Sequence, residues 1–347
     1  MSFSAVRNMK YAIHPRSSRV SRTDRLLQFR ALCEWGNAKP STPSSAPDAT
    51  HKRSPPSMKL GFYTYSYIDR LKMPIEPDLE QVAATGYDGI DISATWRDDL
   101  DPGLMPLPVR DLYARAAQRL GLEIEAVVTH LELVDSVWNH RPLNLKGAVD
   151  VACDVGAKIA AVHIGRADGH PERAWQTAVD YLRDACAYAA EKNVTIALDG
   201  VFKPSIIDTA DKALALVKQV DCARFGINFD PCYEELSGLS WQQDLPVLLP
   251  YIVHAHIKDY TVHLPDFPQR IPEGGVFDAE RWFSHRIPGE GVLDHHGYVA
   301  LLHEAGFDRY LINECFIDAP FERACHQGYR VLAEAMMRCG ARPCKDA

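Results

Sequence analysis

The chain predicts a (β/α)8 barrel, and three observations carry that expectation. From Met58 onward, short β-like runs alternate with amphipathic helical stretches. Eight such repeats fit into roughly 285 residues, close to the usual size of this fold. No GxGxxG or GxxxxGK[ST] motif follows any strand, which ranks a nucleotide-binding doubly wound sheet second.

The strands are expected, in order, at "KLGFYTY", "GIDIS", "IEAVVTH", "IAAVHIG", "VTIALDG", "FGINFDP", "IVHAHIKD" and "YLINECF". Each is a short apolar, β-branched run bounded by turn residues, as in strands buried on both faces. Helices are expected at "PDLEQVAATGY", "PVRDLYARAAQRLGL", "AWQTAVDYLRDACAYAAEKN" and "ADKALALVKQV", where apolar residues recur at i, i+3, i+4. A final helix, "PFERACHQGYRVLAEAMMRCG", should pack outside the last strand.

The expected organisation is one barrel domain over 58–340, a disordered extension over 1–57 and a short tail over 341–347. The extension ends in "KPSTPSSAPDATHKRSPPS", a Pro/Ser-rich tract with too few large apolar residues to pack. It reads as translation from an upstream start codon or as a transit peptide. Of the 347 residues 46% are hydrophobic, enough to fill a large core, yet no apolar run is long enough to span a bilayer. The first 57 residues carry a net charge of +7 and the rest −15, so the body repels phosphate backbones and a nucleic acid is not expected as a partner. Nine cysteines without a CxxC pair fit a reducing, cytoplasmic setting. Neither membrane attachment nor export is expected, and a homo-oligomer or a partner subunit stays open.

One strand breaks the apolar rule. "IVHAHIKDY" carries two histidines, a lysine and an aspartate within six residues, and burying such groups costs free energy unless something satisfies them. In a (β/α)8 barrel the strand C-termini form the mouth, where polar side chains meet ligand instead of core. Asp199 closes the fifth strand, Asp230 the sixth, His256 lies near the end of the seventh and Glu314 near the end of the eighth. Alternation puts Ala197 with Asp199, Asn228 with Asp230, His254 with His256 and Lys258, and Ile312 with Glu314 on the inward face. Three carboxylates and an imidazole on one rim suit a hard divalent cation, Mn²⁺ first, with Mg²⁺, Co²⁺ or Zn²⁺ as alternatives. An isolated acid would read as a salt-bridged or helix-capping residue, whereas four at equivalent positions read as a site.

The order Asp, Asp, His, Glu on strands five to eight, with "HIKD" and the following "PGEGVLD", resembles the xylose isomerase-like barrels. These include sugar isomerases and epimerases of the tagatose 3-epimerase type, inosose dehydratases and endonuclease relatives. The resemblance covers residues 58–340. It implies that a divalent ion grips a ketose and that two carboxylates, Asp199 and Glu314, move a proton through an enediolate, with Asp230 and His256 completing the metal shell.

Three departures qualify the substrate. Asp199 stands where the epimerases carry Glu, which favours Glu314 as main base and Asp199 as ligand. Tyr233 stands where they carry a histidine, and Val262 where they carry an arginine, a role left to Lys258 or Arg270. Other substrate-binding candidates are His130, His163 and Trp96, with Trp138 and Tyr63 as an apolar wall; a lone strand histidine reads equally well as a bonded core residue. The segment from Tyr260 to Gly291 is long for a connection and reads as a lid or partner surface. The function expected is a metal-dependent isomerase or epimerase of a small sugar-like ketone. The alternative is a lyase or dehydratase on an inosose or 3-keto-glycoside, with an endonuclease and a non-catalytic binding protein ranked below.

Overall fold

The computed structural model describes residues 58–64, 75–93, 105–133, 144–165, 170–201, 205–263, 283–315 and 320–341, without the side chains of 130 and 131. The chain divides after Ser45 into an N-terminal unit, which lies outside the described residues, and the barrel unit Ala46–Ala347.

Eight parallel strands close into a barrel: β1 (Lys59–Tyr63), β2 (Gly89–Ser93), β3 (Glu123–Glu132), β4 (Ile159–His163), β5 (Thr195–Asp199), β6 (Phe225–Phe229), β7 (Ile252–Ile257) and β10 (Tyr310–Asn313). β1 pairs with both β2 and β10, so the sheet has no free edge. All eight coincide with the runs predicted from sequence.

Helices fill the crossovers: α1 (Glu76–Thr85), α2 (Leu107–Leu120), α3 (Leu145–Val155), α4 (Pro171–Glu191), α5 (Ala210–Val220), α6 (Pro231–Leu236), α7 (Trp241–Leu248), α8 (His295–Glu304) and α9 (Phe321–Arg338). The ends are chemically marked. Asn144, Thr209 and Asp294 cap α3, α5 and α8 through their side chains, and α2 stops at Gly121, whose φ of 65° favours glycine.

Two apolar clusters follow from strand alternation. One lies between the sheet and the helices. The other fills the barrel with Tyr63, Ala126, Val128, Ile159, Ala161, Ala197, Tyr310 and Ile312. Ala197 and Ile312 therefore face inward as predicted. Gly61 makes room for that packing, since a Cβ there would run into Ile312.

The long connection after β7 has secondary structure of its own. Its described parts form an antiparallel hairpin of β8 (Asp259–Val262) and β9 (Phe283–Arg286), in which Tyr260 opposes His285. The intervening residues 264–282, with Arg270, lie outside the described residues, as do Trp96 and Trp138.

Candidate active site

Asp199, Asp230, His256 and Glu314 converge at the C-terminal end of the barrel, and each is at most 3% exposed. The Nδ1 atom of His256 is 2.8 Å from Glu314 Oε2 and 4.0 Å from Asp199 Oδ1. Asp230 has two roles, because its Oδ1 caps α6 by accepting from Cys232 N at 2.8 Å while Oδ2 turns to the site.

Lys258 completes the group. Its fully buried ammonium lies 2.8 Å from Asp230 Oδ2 and 2.7 Å from Glu314 Oε2, with the Tyr233 ring centroid 3.9 Å away. Burial opposes that charge, but the two carboxylates outweigh it and hold the lysine pKa well above its ordinary value. Burial likewise pushes Glu314 up, yet Lys258 and His256 hold its carboxyl well below the usual range. For Asp230 burial wins and the pKa rises, despite Lys258.

His254 lies one layer deeper as a bonded core residue, as the sequence suggests, but its acid partner was not anticipated. Asp91, in the middle of β2 and fully buried, accepts from His254 Nε2 at 2.7 Å and from His256 Nε2 at 2.9 Å, both on Oδ2; its Oδ1 takes the Ala126 N–H at 3.1 Å. Burial alone would raise the Asp91 pKa, but the two imidazoles bring it below the ordinary value. Among the described residues, Asp91, His254 and His256 also form a cluster able to hold a metal, with their ligand atoms within 4.8 Å of one another. The available sequence signal was the alternation in "GIDIS", which turns Asp91 to the same inward face as Gly89 and Ser93.

The remaining candidates separate clearly. His163 joins the site, with Nδ1 3.0 Å from the Asp199 carbonyl and Nε2 3.4 Å from its Oδ2, while Asn228 donates to Asp199 Oδ1 at 2.7 Å. Tyr233 is beside Lys258. Tyr63 does not form a substrate wall: it is 1% exposed and stacks on His256, with centroids 5.9 Å apart. The His130 side chain and Trp96 lie outside the described residues. Asp259 turns away from the mouth, as alternation requires of a residue next to Lys258. Its carboxylate accepts four backbone N–H groups, from Tyr260, Gly289, Gly291 and Leu293, at 2.8 to 3.1 Å. It thereby ties the "PGEGVLD" turn to the end of β7, and Gly291 is required because a Cβ would collide with Asp259 and the Tyr260 carbonyl.

Comparison with known proteins places this geometry in context. A search of curated proteins finds no match. Among solved structures, the IOLI protein with a bound zinc atom is 20% identical, with a TM-score of 0.64 over 81% of this chain and 99% of that one. D-psicose 3-epimerase in the presence of D-fructose is 13% identical, with a TM-score of 0.63 over 82% and 100%. The probable 3-DHS dehydratase from Bacillus anthracis is 18% identical, with a TM-score of 0.61 over 79% and 98%. At such identities the likeness is one of fold. The sequence itself matches a protein family over residues 79–335, and the chain belongs to that family, the xylose isomerase-like TIM barrels.

Proposed function

We propose that the protein is a divalent-cation-dependent isomerase or epimerase of a ketose or related polyol ketone, with Asp199, Asp230, His256 and Glu314 as the cation's ligands. The observation that carries this reading is the orientation of His256. Its Nε2 donates to Asp91, which fixes the ring and turns Nδ1 toward Glu314 at 2.8 Å and Asp199 at 4.0 Å. This nitrogen and the carboxylates around it are the groups that would hold a divalent ion, which would take the place of the Nδ1 proton. Lys258 is the only ammonium within contact of this group among the described residues, and its single charge is shared between Asp230 and Glu314. Buried, uncompensated carboxylates are costly, so a divalent ion suits the donor set.

This reading makes Asp91 and His254 the support of the site instead of its ligands. Mn²⁺ suits three carboxylates and one imidazole best, with Mg²⁺, Co²⁺ or Zn²⁺ as alternatives.

When bound, the cation would supply the charge stabilisation that departure of an α-proton from a hydroxy-ketone requires. Glu314 is the group that takes that proton, kept ionised by Lys258. Asp199, braced by Asn228 and His163, faces it as the partner acid. Lys258 and Tyr233 bind substrate oxygens above them. The likeness in fold to D-psicose 3-epimerase and to the zinc-containing IOLI protein supports this class of chemistry.

One observation favours a second reading, a lyase or dehydratase on an inosose or 3-keto-glycoside. Burial holds the Tyr233 phenol above its ordinary pKa, so it keeps its proton and could pass it to a leaving oxygen. The fold likeness to a probable dehydratase agrees with that alternative.

The test is loss of the α-proton signal when Mn²⁺-loaded protein meets ketoses, inososes and keto-glycosides in D₂O, with products analysed afterwards. Exchange on one compound with unchanged mass supports the isomerase, and loss of water or an aglycone supports the lyase. Absence of exchange with metal bound overturns both.

A further inference from the structure

The barrel has a second polar hollow, at the end opposite the mouth. Parallel strands all start at one face, and the residues just before β4, β6 and β10 are Lys158, Arg224 and Arg309. Sheet bonding fixes the backbone of each. Their carbonyls accept from Thr195 N at 2.8 Å, Ile196 N at 2.8 Å and Lys59 N at 3.1 Å. With Glu125 and Asn193 these residues line a cavity of about 170 Å³, a volume that admits a ligand of about six heavy atoms.

Cations are in excess there. Glu123 is held by Lys59 at 2.6 Å and by Lys158 at 3.4 Å, and Lys158 lies 3.9 Å from Glu125. Lys59, Lys158, Arg224 and Arg309 thus stand against two acids. Arg224 gives one nitrogen to Asn193 Oδ1 at 2.5 Å, which orients the guanidinium and leaves its other donors. The Arg309 guanidinium has no ion-pair or hydrogen-bond partner among the described residues. Like charges gathered in one hollow repel one another unless an anion joins them, and screening keeps the remote acids of the body from offsetting this.

Glu125 is the second observation. It is 6% exposed and lines the cavity, yet its Oε2 has no hydrogen-bond partner among the described residues, Lys158 being too far at 3.9 Å. A buried acceptor without a donor costs free energy, so the occupant that suits it brings an O–H. Burial also raises the Glu125 pKa above its ordinary value, despite His254 and Lys158, which favours a proton held at that carboxyl.

We propose that this hollow binds a protonated phosphate group, free or at the end of a small monoester, with Lys158, Arg224 and Arg309 on its charged oxygens and Glu125 on its hydroxyl. The site is separate from the mouth and does not depend on the reaction proposed there. Three cations suit a doubly charged oxyanion, and guanidinium forks suit its paired oxygens. Glu125 sets the selectivity. Hydrogen phosphate keeps one proton at neutral pH and donates it to Oε2, whereas sulfate has none and would set a charged oxygen against the carboxyl.

The experiment titrates the full chain near neutral pH with inorganic phosphate, glycerol 2-phosphate and sulfate in a calorimeter, for wild type, R309M, R224M and E125Q. Wild type should bind phosphate saturably and about tenfold or more tighter than sulfate. The phosphate dissociation constant should rise about tenfold or more in R309M and in R224M. E125Q should bind sulfate and phosphate about equally, because an amide donates to an oxygen that carries no proton. R309M breaks no side-chain contact among the described residues, so it keeps the test valid if R224M or E125Q fails to fold. Tighter binding of phosphate than of the monoester supports the site with the free ion as occupant, and the reverse order supports it with a phosphomonoester. The proposal is overturned if phosphate gives no binding heat, if R309M binds it as wild type does, which would put the ion elsewhere, or if wild type binds sulfate as tightly as phosphate.

Discussion

Two layers of the barrel interior, one inward-facing step apart on the same strands, are built from opposite materials. On β5 the step runs from Ala197 to Asp199, and past the end of β10 it runs from Ile312 to Glu314. The lower layer is filled largely by Ile159, Tyr310, Ile312 and alanines, whereas the upper holds the carboxylates of Asp199, Asp230 and Glu314, the His256 imidazole and the Lys258 ammonium, all at most 3% exposed and resting on Asp91 and His254. Backbone geometry is the same in both. The lesson is that the strand only aims the side chain; what makes the upper layer tolerable is the network, in which Asp91 receives two imidazoles and Lys258 bridges two acids.

The sharpest break in the upper layer is Glu314→Gln. It removes the group proposed to take the proton and one partner of Lys258. α-Proton exchange in D₂O should fall by about 10³-fold or more, while the far-UV circular dichroism stays unchanged. Exchange within tenfold of wild type would remove Glu314 from its role.

Next in size is Asp259, beside Lys258 at the end of β7, which points out of the barrel. Asp259→Ala leaves four backbone N–H groups without their acceptor. Urea unfolding should show a loss of about 3 kcal/mol, and the β8–β9 hairpin should gain proteolytic sensitivity. A loss under about 0.5 kcal/mol would mean that the turn is held by other contacts.

Asp91→Asn weakens the support of His256 without touching the proposed ligands. Metal affinity should drop about 10- to 100-fold, measured by competition with a chelating dye, with one equivalent still bound at saturation. Complete loss of binding would instead make Asp91 a ligand.

The smallest effect lies outside the barrel, in a buried acid pair. Burial, with Asp244 as neighbour, pushes the Glu234 carboxyl up to about 10. The folded protein therefore keeps a proton that the unfolded chain releases above about pH 4.5, and stability declines as pH rises from there toward 10. Glu234→Gln should match wild type near pH 5 and exceed it by roughly 2 kcal/mol at pH 8, read from thermal unfolding at both values. A constant difference across that range would contradict the assignment.

The fold was legible because its periodicities are local: each strand announces itself within seven or eight residues, and the helices by their i, i+3, i+4 stripe. The four rim residues were legible for a related reason, since their places at strand ends repeat with the barrel. Asp91 was not, because a single acid inside "GIDIS" gains meaning only when β2 faces β7 across the barrel, 163 residues away from His254. The β8–β9 hairpin was hidden similarly, because its two strands are separated by the long segment 263–282 and no short pattern marks their pairing. Tyr63 was misjudged as a wall because alternation tells which way a strand residue faces but not at what depth it stacks. Asp230 met both readings of a strand-end acid, capping α6 with one oxygen and reaching Lys258 with the other.

The central claim is that the cation is held by one imidazole, His256 Nδ1, among carboxylates, and not by both histidines around Asp91. Electron spin-echo envelope modulation of Mn²⁺-loaded protein, with histidine uniformly ¹⁵N-labelled, counts the imidazole nitrogens bound to the ion. The account predicts one, retained in His254→Gln and lost in His256→Gln. Two coupled nitrogens, with one of them lost in His254→Gln, would place the ion at Asp91, His254 and His256 and contradict it.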